Sequence, residues 1–146
     1  MISEVRVGIT VRRPRPEVAS VFLEPRFLSA WLSGVRDVEV SGAHVALVGV
    51  LPGRQAEKFA IVDYRHDLAL VLEGEKQTLI FELEGVPVGT VVWFEFRTKR
   101  AGLTRVLRPW LDYRERIHAI RDLRRLKKFI ESGGYRAWVE DSDAAD

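Results

Sequence analysis

From Val35 to Arg100 the chain reads as strand after strand, because apolar and polar residues alternate and turn-forming residues interrupt them at regular intervals. A period of two places successive side chains on opposite faces, which a helix cannot accommodate. Val38 and Val40 alternate with Asp37 and Glu39, and Ser41-Gly42 turns the chain into a strand over Ala43–Leu51. Pro52-Gly53 is the next turn signal. Phe59 and Ile61 alternate with Lys58, and Leu68, Leu70 and Leu72 follow a polar turn from Tyr64 to Asp67. Gly74-Glu75-Lys76 precedes Leu79, Phe81 and Leu83, and Gly85 to Gly89 precedes Val92, Phe94 and Phe96. Turns spaced by about 8–12 residues predict an antiparallel meander with one face rich in Leu and Phe.

Helical text flanks this meander. Val5, Val7, Ile9 and Val11 share one face of a first strand over residues 2–12. Pro14 and Pro16 stop that strand, and Pro16 suits the first turn of a helix with Val18, Val21 and Phe22 as its apolar face. A second short helix restarts at Pro25, with Phe27, Leu28, Trp31 and Leu32 on its apolar side, and ends at Ser33-Gly34. After Ala101-Gly102, residues 103–132 read as one long helix stopped by Gly133-Gly134. Val106, Trp110, Tyr113, Ile117 and Ile120 share one face of it, and Pro109 either starts the regular helix or kinks it. Leu123, Leu126 and Ile130 continue an apolar face rotated around the axis, which implies a change of packing partner. Residues 1–138 are thus expected to form a single α+β domain, with 139–146 an acidic tail that frays.

A chain of 146 residues suits one core without staples, since single domains commonly take about 100–200 residues. The absence of cysteine removes disulfides, thiol nucleophiles and Cys-type metal sites, and fits a cytoplasmic setting. Charges at Glu4, Arg6, Arg12 and Arg13 leave no room for a signal-peptide core. No run approaches the ~18 apolar residues of a membrane span, so no integral membrane association is expected. A net charge of +2 is not the footprint of a dedicated nucleic-acid binder.

The order of strand, two short helices, six strands and long helix agrees with the local text. The run VRRPRPEVASVFLEPRFLSAWLSGVRDVEV, with Pro16, Val18 and Trp31 at its key places, resembles the opening of the START-like superfamily, also called SRPBCC. FELEGVPVGTVVWFEF resembles that group's hairpin ending in a Gly-Thr pair, here Gly89 and Thr90, and DLRRLKKFIES resembles the end of its final helix. The group includes the birch-pollen allergen, polyketide cyclases and lipid-transfer domains. The resemblance spans about residues 2–132 and implies a helix-grip fold, a curved seven-stranded antiparallel sheet around a long helix with an apolar tunnel between them. It does not fix a chemistry, because such folds host carriers, enzymes and partner proteins alike.

Phe59, Ile61, Leu70, Leu72, Leu79, Phe81, Val92, Phe94 and Phe96 from the sheet are expected to face Trp110, Tyr113 and Ile117 from the helix across that tunnel. With Trp31 and Glu57 they form the expected ligand-binding set. The same residues would also serve as plain core. Glu57 shares the phase of Phe59 and Ile61, so it either points inward as an acid or base or reaches solvent at a strand end. Tyr113 either offers its hydroxyl to a ligand or bonds at the rim. His44, His66 and His118 are too scattered for a metal site, and no serine sits in a nucleophile motif, so neither metal nor cofactor is expected. Nine basic residues from Arg105 to Lys128, against four acids, read as a solvated surface. Trp93, out of phase with Phe94, belongs on the outer face of the sheet, where it marks either a homodimer contact or a lone surface aromatic.

An apolar lining without a paired acid and base points first to binding of a small hydrophobic or aromatic ligand, lipid-, quinone- or polyketide-like. The resemblance allows two alternatives. One is a cyclase- or dehydratase-like enzyme steered by Glu57, Tyr113 or Arg114; the other is a protein that acts on a macromolecular complex.

Overall fold

A computed structural model describes residues 2–49 and 57–138. The elements follow the expected order. Strand β1 (Ile2–Val11) leads into helix α1 (Arg15–Phe22), a 3-10 turn (Pro25–Phe27) and helix α2 (Leu28–Trp31). Six strands follow: β2 (Val35–Ser41), β3 (His44–Gly49), β4 (Glu57–Arg65), β5 (Ala69–Gly74), β6 (Gln77–Val86) and β7 (Gly89–Lys99). The chain then enters α3 (Leu103–Val106) and the long α4 (Arg108–Glu131). Residues 50–56, which include the predicted Pro52-Gly53 turn, and the predicted tail 139–146 lie outside the described residues.

The seven strands form one antiparallel sheet in the order β1-β7-β6-β5-β4-β3-β2. The meander accounts for six of them, and β1 adds itself to the free edge of β7, pairing Ile2 with Lys99 through to Val11 with Thr90. Register shifts in β2, between Val35 and Asp37, and in β4, between Ile61 and Asp63, mark irregularities of the kind that bend strands. The Gly89-Thr90 pair has a physical reason. Gly89 adopts φ +149°, and a Cβ there would stand 2.2 Å from the Val11 carbonyl oxygen. Thr90 then donates its hydroxyl to the Arg13 carbonyl at 2.9 Å, fixing the exit of β1 against the hairpin.

Alternation holds along the sheet. Val5, Val7 and Val11 of β1, Leu79, Phe81 and Leu83 of β6, and Val92, Phe94 and Phe96 of β7 are all buried on the concave face. Helices α1 and α2 press Phe22 and Trp31 onto part of that face. The Phe22 ring lies 5.3 Å from Phe81, and Trp31 stands edge-on to Phe81 and Phe94 at 6.2 and 5.9 Å. Offset and edge-to-face pairs of this kind add to what burial alone contributes. This cluster fills the concavity on its own side.

The outer face carries Trp93 as its phase predicts. Its ring covers Gly8, where an added Cβ would fall 2.6 Å from the indole, and the Arg6 guanidinium lies 4.7 Å from the ring centroid. Trp93 is therefore packed within its own sheet. Absence of a side chain at Gly8 is what admits it.

The terminal helix departs from the sequence reading. The predicted span over residues 103–132 is split at Leu107 into α3 and α4, and Pro109 occupies the first turn of α4, so it starts a helix instead of kinking one. The inward face is not the most apolar one. Ala119, Asp122, Leu123, Leu126 and Ile130 are buried, while Trp110 and Tyr113 are 58% and 65% exposed.

Candidate functional site

The helix is oriented by polar anchors. Arg100, buried at the end of β7, donates to Glu115 at 2.8 Å and to Asp112 at 3.4 Å, and lies 3.4 Å from the Ser3 hydroxyl. Along β1, Arg116 donates to the Arg6 carbonyl at 3.2 Å and Lys127 to the Thr10 carbonyl at 2.6 Å. At α2, Arg125 donates to the Trp31 carbonyl at 3.1 Å. These bonds turn Glu115, His118, Ala119 and Asp122 toward the sheet.

Between that face and the sheet lies a half-open cavity of about 280 Å³. Its apolar walls come from Leu47, Phe59, Leu79, Phe94, Phe96 and Ala119, with Leu32 and Val35 closing the α2 side. Polar groups also line it: Glu115, His118 and Asp122 from α4, Ser33 from the α2–β2 turn, and Glu57 and Gln77 from the strand ends. His118 and Glu57 are exposed, so solvent reaches the cavity past them.

Asp122 is the unusual group. Its carboxylate is almost fully buried, and it accepts from the Ser33 amide at 3.1 Å and from the Ser33 hydroxyl at 2.9 Å, with Arg125 3.6 Å away. Burial pushes its pKa above the usual carboxylate value, because removing the charge from water outweighs the hydrogen bonds from Ser33 and the attraction of Arg125 and His118. A carboxyl held in this way can accept a hydrogen bond, donate one, or exchange a proton with a bound molecule.

Of the expected ligand set, the fold gathers Glu57, Phe59, Leu79, Phe94 and Phe96 around this cavity. Trp31, Leu72, Phe81 and Val92 belong to the packed core, where the Phe22–Trp31 cluster fills the space. Ile61 and Leu70 border a separate, more open recess of about 400 Å³ with Leu23, Pro25 and Tyr64. Trp110 and Tyr113 are corrections: both project outward from α4, and Ile117 on the same stripe is only partly buried. Tyr113 therefore offers no hydroxyl to the cavity. Trp110, Tyr113 and Ile117 make the most apolar stripe of the first half of α4, but the burial of Leu123, Leu126 and Ile130 and the bonds of Arg100, Arg116 and Lys127 turn that stripe away from the sheet.

Sequence reasoning missed Ser33, Glu115, His118, Ala119 and Asp122. One signal was available. Glu115, His118, Ala119 and Asp122 recur at helical spacing, in phase with Leu126 and Ile130. A stripe that is apolar at one end and titratable at the other is what a helix shows when it is core along half its length and lines a cavity along the rest. Among the described residues no cluster of three or more His, Cys, Asp or Glu could hold a metal ion, and no helix is long and apolar enough to cross a membrane.

No family model matches the chain, and no curated protein matches it. Solved structures do. A Bacillus halodurans protein aligns at a TM-score of 0.70 and 12% identity, over 88% of this chain and 96% of its own. A Thermus thermophilus protein aligns at 0.68 and 17% identity, over 90% and 99%. A Staphylococcus aureus protein described as of unknown function aligns at 0.65 and 11% identity, over 92% and 96%. At such identities the likeness establishes the fold alone: a seven-stranded antiparallel sheet gripping a long C-terminal helix, shared over nearly the whole of each chain.

Proposed function

We propose that this chain is a START-like binding protein that takes a small, mainly apolar molecule into the cavity between sheet and α4. The observation that carries the reading is the pairing of an apolar wall with one buried carboxyl. Phe59, Leu79, Phe94 and Phe96 supply a surface for a ring or acyl group, and Asp122 with Ser33 and His118 supplies a place for one polar group. Few polar fixtures on an apolar wall are the usual composition of small-molecule sites. The size narrows the class. Ligand pockets commonly run to about 300–1,000 Å³, and this cavity sits at the lower end, so a compound of one or two rings with a hydroxyl or carbonyl suits it better than a two-chain lipid. Quinone-like and polyketide-like molecules meet that description.

A second reading is favoured by Asp122 itself. A carboxyl with a raised pKa beside His118 is suited to proton transfer in a cyclase- or dehydratase-like reaction. Asp122 and His118 would take the roles expected of Glu57 and Tyr113.

Native mass spectrometry of freshly purified protein tests both readings. The binding reading predicts a co-purifying mass of a few hundred daltons at most that is released intact on denaturation (a bound size on the order of the pocket limits above). A released mass that changes with incubation time supports the enzyme. Repeated preparations that show only the bare chain would count against both.

A further inference from the structure

The outward side of α3 and α4 is divided lengthwise by chemistry. Trp110, Tyr113 and Ile117 of α4 recur at intervals of three and four residues, so they form one stripe opposite the buried face, and Leu103 and Val106 of α3 precede it across Leu107. Leu103, Val106, Trp110 and Tyr113 are each more than half exposed. Single exposed apolar residues need no explanation, but a contiguous stripe of large ones does. Further along the same side the stripe becomes basic, through Arg114, Arg121, Arg124 and Lys128. These four pair with no acid among the described residues.

The four acids of α4 are turned elsewhere. Asp112 and Glu115 bind Arg100, Asp122 is buried against Ser33 and Arg125, and Glu131 faces Lys127 at 3.7 Å. An ordinary solvated helix mixes both signs on its exposed side. Here the exposed side keeps only cations, and Arg114 lies 5.8 Å from the ring of Trp110, so charge and aromatic face present together.

We propose that this side of α3 and α4 docks on an anionic lipid surface. Trp and Tyr have amphipathic rings that settle at the headgroup level, Leu103 and Val106 have depth to gain below it, and the guanidinium groups meet phosphates. Each basic group near such a surface adds to the attraction, which salt screens. A second copy of the chain answers only half of this pattern, because it brings further arginines and no anion. A nucleic acid would leave Leu103 and Val106 without a partner. The inference stands on the surface alone and does not depend on the cavity or its contents.

Vesicle flotation of the full chain tests it, with phosphatidylcholine vesicles compared against vesicles that also carry phosphatidylglycerol. The expected result is partition onto the anionic vesicles only, weakening as salt rises. Arg121→Gln and Arg124→Gln should each lower the partition coefficient by about fivefold. Trp110→Ser should lower it further, with the melting temperature of the free protein unchanged because Trp110 is exposed. Absence of partition, equal partition onto both vesicles, or arginine variants that bind as well as the native chain would each overturn the proposal. So would sedimentation showing a dimer that Trp110→Ser dissolves, since the face would then belong to a second copy.

Discussion

Asp122 concentrates the energetic tension of the site in one side chain. A buried charge is costly unless it is bonded, and Ser33 answers it from both its amide and its hydroxyl. The folded form nevertheless holds its proton more tightly than the unfolded chain does, because desolvation is the larger influence. Between the ordinary carboxyl value of 3.8 and the raised folded value, protonation therefore favours folding. Stability falls as pH climbs through that window, and the penalty is constant above it. Asp122→Asn keeps an acceptor for Ser33 and removes the charge. Melting curves of the two proteins should coincide at the acid end and diverge as pH rises, with the Asn variant the more stable at neutral pH. A native chain that gains stability over the variant across the same range would mean that Asp122 is better satisfied as an anion than its surroundings indicate.

At the scale of the element, α4 shows where sequence reading succeeds and where it stops. The meander was legible because the two-residue period and the turn residues agree, and the structure adds the reason for Gly89, where a Cβ would strike the backbone of Val11. The apolar faces of α1, the 3-10 turn and α2 were legible from their proline starts and helical spacing, with Val18, Val21, Phe22, Phe27 and Trp31 all buried. The rotation of α4 was not. Over its first half the outward stripe of Trp110, Tyr113 and Ile117 is more apolar than the inward stripe of Glu115, Ala119 and Asp122, so hydrophobic periodicity there points away from the sheet, while Leu123, Leu126 and Ile130 point inward over the second half. Burial of Leu123, Leu126 and Ile130 sets the rotation of its second half, and at its start the most buried polar anchor is Arg100. Its side chain is 7% exposed and bridges Ser3 with two acids that remain partly exposed. Breaking a buried ion pair costs several kcal/mol, and the partial exposure of Asp112 and Glu115 reduces it. Arg100→Gln should lower stability by about 2–3 kcal/mol in a urea titration. A loss below 0.5 kcal/mol, about the ordinary surface effect, would show that α4 is held by other contacts.

The whole molecule makes its cavity by filling one side of a concave sheet and leaving the other. Phe22 and Trp31 occupy the space over Phe81 and Phe94, and α4 spans the remainder with a small residue, Ala119, where a larger one would close it. Five of the expected lining residues were legible because strand phase fixes which side chains point inward. Phe81, Leu72 and Val92 have that same phase and still pack solid, because phase does not say what comes down from above. This arrangement gives a direct test through Ala119→Leu, which places an isobutyl group in the cavity while leaving the polar anchors of α4 untouched. The measurement is a thermal-shift titration of both proteins with one- and two-ring phenols and quinones. A compound at a hundred times its dissociation constant should stabilise the native chain by about 2.7 kcal/mol, a rise of several degrees, and leave Ala119→Leu unmoved. A native chain that no compound shifts, or a shift of equal size in both proteins, would contradict binding at this cavity.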